Sequence, residues 1–230
     1  CPVHIHIAEQ QKEVDDCLAW SGRRPLQWLY ENVEVDERWC LVHATHAEAD
    51  EVTAMARSRA IAGLCLTTEA NLGDGVFPAV DFLAQGGRLG SGSDSHVSLS
   101  VVEELRWLGY GQRLRDQRRN RLYRSDQPRV GPTLFDAALA GGAQALGQDI
   151  GQLAVGKRAD WLGLDGQDPY PATPAGHALP NRRPSARRGR QGRGRPGERR
   201  GGGEGGSRGA PGPRKKNNRA TLGPPCSSPS

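Results

Sequence analysis

The sequence predicts an α/β fold with a parallel sheet, and three observations support this prediction. Four short runs are rich in apolar and β-branched residues, as strands are. The segments between them have the apolar spacing of amphipathic helices. Strand and helix alternate along the chain, which is typical of βα units and a parallel sheet. The four strand-like runs are VHIHIA (3–8), WCLVHA (39–44), IAGLCLTT (61–68) and RLGSGSD (88–94).

Helices are predicted between and after these strands. The segment AEADEVTAMARS carries acidic residues in its first turn, where they interact favourably with the helix dipole. The segment VFPAVDFLAQGG ends in glycines, which commonly terminate helices. The predicted helices span residues 10–20, 25–33, 47–58, 76–87, 100–117 and 132–147.

The number of strands limits the possible architecture. A closed (β/α)8 TIM barrel has eight parallel strands and usually about 250 residues, whereas four strands are visible here. If the fold is such a barrel, residues 1–147 form its second half, and a start at Cys1 without a methionine agrees with this interpretation. Residues 148–170 contain short alternating apolar and polar runs broken by glycines. They predict β-hairpin pieces outside the barrel.

Composition changes abruptly near Pro171. Residues 1–170 carry 17 Lys+Arg against 24 Asp+Glu, whereas residues 171–230 carry 14 against 2, so the basic character belongs to the tail. The tail also contains 13 Gly and 10 Pro in its 60 residues, with few large apolar side chains. Such a segment cannot bury enough apolar surface to offset its chain entropy, and we predict that it is disordered.

Cysteine usage and hydropathy indicate a cytoplasmic protein without a membrane segment. The five cysteines form no CxxC pair and have no regular spacing. Cys40 and Cys65 lie in apolar runs, where a reduced thiol behaves as a small buried apolar group. No apolar run approaches the roughly 18 residues that span a bilayer, and no segment resembles a signal peptide.

Polar residues follow the predicted strands at their carboxyl ends, where barrel enzymes place their active sites. His6 ends the first strand with Glu9 just beyond it, His43 ends the second, and Asp94 ends the fourth. The third run ends with Thr67 and Thr68, followed by Glu69 and Asn71. Imidazole and carboxylate groups are natural ligands of a hydrolytic divalent ion. These strand ends therefore predict a site that combines metal binding with acid–base chemistry.

Each candidate also has a structural interpretation. His4 shares a strand face with His6 but lies farther from the carboxyl end, so we interpret it as structural. Solvation or helix capping accounts for His46. His96 lies on the loop that carries Asp94, and both a pocket-lining and a purely exposed position remain open. Asp94 itself could cap a helix, although its place after a strand favours a role in the site.

The segments HIHIAE, LVHATH and GSDSH, followed in that order by IGQLAVGKRADWLGLD, resemble the deaminase branch of the amidohydrolase superfamily. The longer stretch from TTEANLGDG to GYGQRLR is similar to the enzymes of that branch that hydrolyse N-formimino-L-glutamate in bacterial histidine breakdown. The resemblance covers roughly residues 3–170. It implies a barrel beside a small β-sandwich, of which residues 148–170 would be a remnant.

The resemblance also implies roles for individual residues. It assigns His6 and Asp94 as ligands of one divalent metal ion, usually zinc. Glu9 matches the glutamate that carries protons to the leaving nitrogen, and His43 matches a histidine that polarises the reacting centre. Asp94 would also accept a proton from the attacking water. The HxH of the family's first strand is missing, and His4 and His6 do not replace it.

Three alternatives remain open at this point. A cyclic amidine such as guanine or a triazine could replace the linear substrate. The basic tail could bind nucleic acid through phosphates, although it has no aromatic residues to stack on bases and residues 1–170 are acidic. Finally, His6 and Asp94 are too few ligands for a tight catalytic site, so the chain itself is expected to bind zinc weakly and to have little activity. The expected partner is a small-molecule substrate, with a homodimer as an option for the full-length protein.

Overall fold

The computed structural model describes residues 1–160 of the chain. Four strands form one parallel sheet in which the spatial order follows the sequence: β1 (Val3–Ile7), β2 (Trp39–His43), β3 (Ile61–Leu64) and β4 (Arg88–Ser91). The register pairs His6 with Val42 and Ile7 with His43. Because all four strands run in the same direction, their carboxyl ends meet at one edge of the sheet.

Seven helices accompany the sheet in the described residues: α1 (Gln11–Ser21), α2 (Pro25–Asn32), α3 (Ala49–Ser58), α4 (Leu66–Leu72), α5 (Ala79–Ala84), α6 (Val101–Asp116) and α7 (Val130–Leu146). No helix among residues 1–160 has both the length and the apolar character of a membrane span. The predicted α/β fold with a parallel sheet is confirmed, and the position of this sheet within a barrel stays a prediction.

The core lies between one face of the sheet and the helices. It contains strand residues such as Leu41, Ala62 and Leu89 together with helix residues such as Met55 and Phe82, all fully buried. Alternating strand positions point to the other face, where His4 and His6 are exposed. On that second face, Cys40 and Ile61 form a smaller buried cluster with Ala145 of α7. Among the described residues, α7 therefore covers this face of the sheet only near the amino ends of the strands.

Helix α7 approaches the sheet closely because residue 141 is glycine. A Cβ at Gly141 would lie 1.8 Å from the carbonyl oxygen of Leu89 on β4, whereas a Cβ at Gly142 would meet no atom within 4 Å. The missing side chain thus allows helix and strand backbones to touch.

The structure corrects the third predicted strand. Residues 61–68 were expected to form one strand, but β3 ends at Leu64 and α4 begins at Leu66. Thr67 and Thr68 therefore lie on a helix. The physical reason is a long-range cap: the carboxylate of Glu104, on α6, accepts a hydrogen bond from the backbone N–H of Thr67 at 3.1 Å. A free amide of the first turn is thereby satisfied from 37 residues away.

Other boundaries moved less. The fourth strand ends at Ser91 instead of residue 94, and the helix expected over 76–87 is limited to Ala79–Ala84. Residues 149–160 contain turns and bends without a strand, so the β-hairpin pieces expected over 148–170 are not found in the described part of that segment. Residues 161–170 and the tail, with its predicted disorder and nucleic-acid binding, lie outside the described residues.

Candidate metal centre

Three residues predicted from the strand ends meet at the carboxyl edge of the sheet. The Nε2 atom of His43 lies 3.2 Å from Nδ1 of His6 and 3.6 Å from a carboxylate oxygen of Glu9. One ligand atom from each residue lies within 4.8 Å of the others, and this is the one such group in the described part of the chain. Strand-end reasoning therefore identified His6, Glu9 and His43 as neighbours.

The spacing of these atoms suits a small divalent cation. Zinc–nitrogen bonds of about 2.1 Å in a tetrahedral site place ligand atoms about 3.4 Å apart. The two separations from His43 Nε2 lie on either side of this value. Nitrogen and carboxylate donors are also the ligand types that zinc prefers. The residues present thus fit part of a zinc site.

The local backbone turns sharply after the strands. Among the described residues, several non-glycine residues adopt the left-handed conformation at this edge: Ala8, His43, Ala44, Asp94 and His96. Such conformations cost on the order of 1–3 kcal/mol each and cluster at functional sites. The Ala44 N–H donates to the carbonyl of Ile7 at 3.0 Å, which ties the end of β2 to the end of β1.

A glutamate that the sequence analysis did not single out holds Glu9 in place. The carboxylate of Glu13 accepts hydrogen bonds from the backbone N–H groups of Ala8 at 2.7 Å and Glu9 at 2.9 Å. Glu13 is the third residue of α1, from which a glutamate commonly reaches back to free amides before a helix. That spacing was the available signal for this residue.

A second glutamate, Glu69, contacts the ring nitrogen of His43 that faces away from His6. The sequence placed Glu69 after the third strand-like run but assigned it no role. Its carboxylate oxygen lies 3.2 Å from His43 Nδ1 and also accepts the backbone N–H of Cys65 at 2.9 Å. Since a carboxylate can only accept, the shared proton lies on Nδ1, and the Nε2 lone pair faces His6 and Glu9. Glu69 is 1% exposed, so this contact is shielded from water.

The surroundings shift the pKa values of both acid–base candidates. Burial disfavours the charged form of His43, but the hydrogen bond to Glu69, together with the charges of Glu9, Glu69 and Asp94, outweighs it and raises the pKa. Burial raises the pKa of Glu9, assisted by the charges of Asp74 and Asp94 and opposed by His43 and His6. Glu9 thus keeps its proton to a higher pH than an ordinary glutamate.

Asp94 occupies a different position from the one predicted. Because β4 ends at Ser91, Asp94 lies in a turn beyond the strand, with φ of 46° and an exposed side chain. Its carboxylate is not part of the His6–Glu9–His43 group. Its charge nevertheless raises the pKa of both Glu9 and His43, which places it within electrostatic reach of the group. Its assignment as a metal ligand stays a proposal.

The remaining histidines differ from one another. His4 Nε2 lies 2.8 Å from the carbonyl oxygen of Ala145, which agrees with a structural role. His46 does not cap α3, because Glu48 occupies the capping position. Its side chain is half-buried, and its Nε2 atom has no hydrogen-bond partner among the described residues. His96 is exposed in the turn that carries Asp94.

Residues 1–184 match the amidohydrolase family. The chain belongs to this family. The match extends beyond residue 170, where the resemblance was expected to end.

Individual relatives are deaminases and amidohydrolases. The chain is 82% identical over 181 residues to formimidoylglutamate deiminase from Pseudomonas aeruginosa, which covers 79% of the chain and 40% of that enzyme. A solved amidohydrolase from Brucella melitensis is 54% identical, with a TM-score of 0.63, over 64% of this chain and 33% of its own. An adenosine deaminase from Xanthomonas campestris with bound zinc is 29% identical, with a TM-score of 0.68, over 77% of this chain and 40% of its own.

The chain therefore spans well under half the length of these relatives. The match to the family includes the three residues of the His6–Glu9–His43 group.

Proposed function

We propose that this chain carries part of the active site of a metal-dependent hydrolase that converts N-formimino-L-glutamate and water to N-formyl-L-glutamate and ammonia. The observation that carries the proposal is the His6–Glu9–His43 group in a chain 82% identical to formimidoylglutamate deiminase. Such a reaction needs an activated water molecule and an acid for the departing nitrogen. The group offers metal-binding donors beside a glutamate with a raised pKa.

In this proposal His6 and Asp94 hold one divalent ion, and zinc is the best candidate because imidazole and carboxylate are donor types that it prefers. A bound divalent ion lowers the pKa of water toward neutrality and so supplies a nucleophile. Zinc in the similar adenosine deaminase supports this choice. Two proposed ligands are fewer than the three that catalytic zinc sites normally have. We therefore expect weak zinc binding and little activity from the 230-residue chain by itself.

The side chains then divide the proton transfers. Asp94 accepts a proton from the attacking water as its oxygen bonds to the formimino carbon. His43, when it takes up a second proton on Nε2 as its raised pKa favours, donates a hydrogen bond to that oxygen and so polarises the centre. Glu9 delivers one proton to the terminal nitrogen as the tetrahedral intermediate forms. It then transfers the hydroxyl proton of that intermediate to the same nitrogen while the carbon–nitrogen bond breaks, and the proton on Asp94 returns to Glu9. The balance is one water consumed and one ammonia released.

The principal alternative within the same chemistry is deamination of a cyclic amidine. The likeness to an adenosine deaminase favours it, because that enzyme aligns over 77% of the chain. Identity favours the linear substrate, because 29% to the adenosine deaminase is far below 82% to the formimidoylglutamate enzyme. A cytoplasmic location and a full-length homodimer remain proposals, the first supported by free cysteines in the described residues.

A chimeric enzyme tests the substrate directly. Residues 1–170 of this chain would replace the matching segment of the Pseudomonas aeruginosa enzyme, giving a full-length protein called the chimera below. Ammonia release is then measured with N-formimino-L-glutamate, adenosine and guanine. We expect turnover of the linear substrate alone. Turnover of a purine in its place, or a folded chimera without activity on any of the three, would contradict the proposal.

A further inference from the structure

The short helix α4 contacts both halves of the site. Glu69, on this helix, accepts a hydrogen bond from His43 Nδ1 at 3.2 Å. One residue earlier, Thr68 hydroxyl contacts the turn that carries Asp94: it donates to the carbonyl of Ser93 at 3.0 Å and accepts the N–H of Ser95 at 3.2 Å. Two consecutive side chains of one helix therefore reach both His43 and the residues that flank Asp94.

Both contacts are buried. Thr68 is 0% exposed and Glu69 is 1% exposed. Water cannot easily replace either hydrogen bond, so the loss of one leaves a polar group unsatisfied. Of the two oxygens of Glu69, Oε1 accepts both the His43 ring and the Cys65 N–H, whereas Oε2 has no hydrogen-bond partner. The Glu69 carboxylate therefore holds the His43 ring through its Oε1 atom.

The helix is itself fixed from the opposite side. Glu104 of α6 accepts hydrogen bonds from the backbone N–H and the hydroxyl of Thr67, the residue before Thr68. At its other end α4 stops at Gly73, which has the left-handed φ of 77° and donates its N–H to the carbonyl of Glu69. The helix of 7 residues is thereby fixed at both ends. An isolated helix of that length would not be stable in water.

We propose that α4 is the positioning element of the site, in which Glu69 sets the tautomer and direction of the His43 ring and Thr68 sets the turn of Asp94. This inference rests on the proposed function only for the catalytic roles of His43 and Asp94. The contacts that α4 makes with them do not depend on any substrate. Glu69 and Thr68 are positioning residues because neither reaches the atoms that face His6.

The test is NMR spectroscopy of the ¹⁵N-labelled 230-residue chain, which contains six histidines. Long-range ¹H–¹⁵N spectra show which ring nitrogen carries the proton, and His43→Asn assigns the signal. At a pH above the raised pKa of His43, the wild-type chain should show the neutral ring with its proton on Nδ1. Glu69→Gln retains an acceptor oxygen and should keep this tautomer, whereas Glu69→Ala should shift the population toward Nε2–H.

Glu51→Gln is the matched control, because Glu51 is also buried on a helix, at 3% exposure, but pairs with Arg24 instead of a histidine. It should leave the His43 signal unchanged. A wild-type His43 with its proton on Nε2 would overturn the proposal. The proposal can therefore be refuted even if the Glu69→Ala chain fails to fold. An unchanged signal in folded Glu69→Ala would overturn it equally.

The Asp94 turn has its own readout. Thr68→Val should accelerate hydrogen exchange of the Ser95 amide by about fivefold or more, since its acceptor is removed. Thr68→Ser retains the hydroxyl and should leave that rate nearly unchanged. Equal rates in the two variants would contradict the role of Thr68. None of these measurements needs substrate or metal, so they can fail or succeed separately from the proposed reaction.

Discussion

The two ends of the four strands have opposite characters. At the amino end, polar groups are satisfied and backbones pack directly: His4 bonds to Ala145, and Gly141 lets α7 touch β4. At the carboxyl end, non-glycine residues adopt left-handed conformations. Buried polar atoms without a protein partner also lie there, among them those of Thr45, His46, Glu69, Asp74 and Ser91. The described residues thus pack closely at the amino end and leave polar atoms without protein partners at the carboxyl end.

Two histidines on one strand illustrate the difference. His4 and His6 have the same residue type and point to the same face, but one is engaged by a backbone carbonyl and the other faces His43. Position along the strand decides their roles. Two cavities, of about 590 and 930 Å³, also lie toward the amino ends of the strands, and neither is lined by the His6–Glu9–His43 group. Cavity size alone would therefore point to the end of the sheet opposite the His6–Glu9–His43 group.

The largest expected effect is on turnover at the carboxyl end. Glu9→Gln in the chimera removes the proton donor while keeping the shape of the side chain, and should lower kcat by about 10²–10⁴-fold. Zinc content should stay near that of the parent, measured by elemental analysis. Glu34→Gln, at an exposed position before β2, is the control and should be silent. Near-normal kcat in Glu9→Gln would remove Glu9 from the mechanism.

The comparison of His4 with His6 can be made directly in the chimera. His6→Asn should weaken zinc binding by at least about 100-fold, because even the loss of an outer hydrogen bond to a ligand costs 10–100-fold. His4→Asn should leave zinc affinity unchanged and cost about 1 kcal/mol of stability through the lost bond to Ala145. Competition with a chelator measures the affinity. Equal losses in the two variants would show that strand position does not separate these histidines.

The sequence was sufficient to predict that His6, Glu9 and His43 meet at the carboxyl edge, but not which residues support them. Strand-end logic placed His6, Glu9 and His43 together because parallel strands bring their carboxyl ends to one edge. It could not reveal that α4 replaces the end of the third strand, since the cap that starts this helix comes from Glu104. The place of Asp94 was missed for a similar reason: a run such as GSGSD does not show where pairing stops and turning begins.

The close packing of α7 against β4 can be tested with alanine at two neighbouring positions, Gly141 and Gly142. Gly141→Ala should destabilise the chain by about 1–3 kcal/mol, because the new Cβ would clash with the Leu89 carbonyl and force helix and strand apart. Gly142→Ala has open space and should gain up to about 1 kcal/mol from better helix propensity. Urea denaturation measures both. A Gly141→Ala chain as stable as Gly142→Ala would refute the close contact.

The smallest expected effect concerns the anchor of α4. Burial raises the pKa of Glu104 above its ordinary value of 4.5, against the opposing hydrogen bonds from Thr67 and Leu66. A raised pKa in the folded state means that the contribution to stability is present below the ordinary value and is lost as pH rises through the folded value. Glu104→Gln cannot titrate, so the stability of the wild type relative to this variant should fall over that window. Urea denaturation measures the free energy of unfolding of both proteins as a function of pH. Parallel profiles for the wild type and Glu104→Gln would contradict the prediction.

Metal dependence of the chimera tests the central claim most directly. Ammonia release from N-formimino-L-glutamate is measured on one preparation as isolated, after removal of metal by a chelator, and after zinc is added back. The account predicts activity, loss of activity with the metal, and recovery in proportion to the zinc bound. Full ammonia release from the metal-free chimera would contradict the assignment of the carboxyl edge as a metal centre.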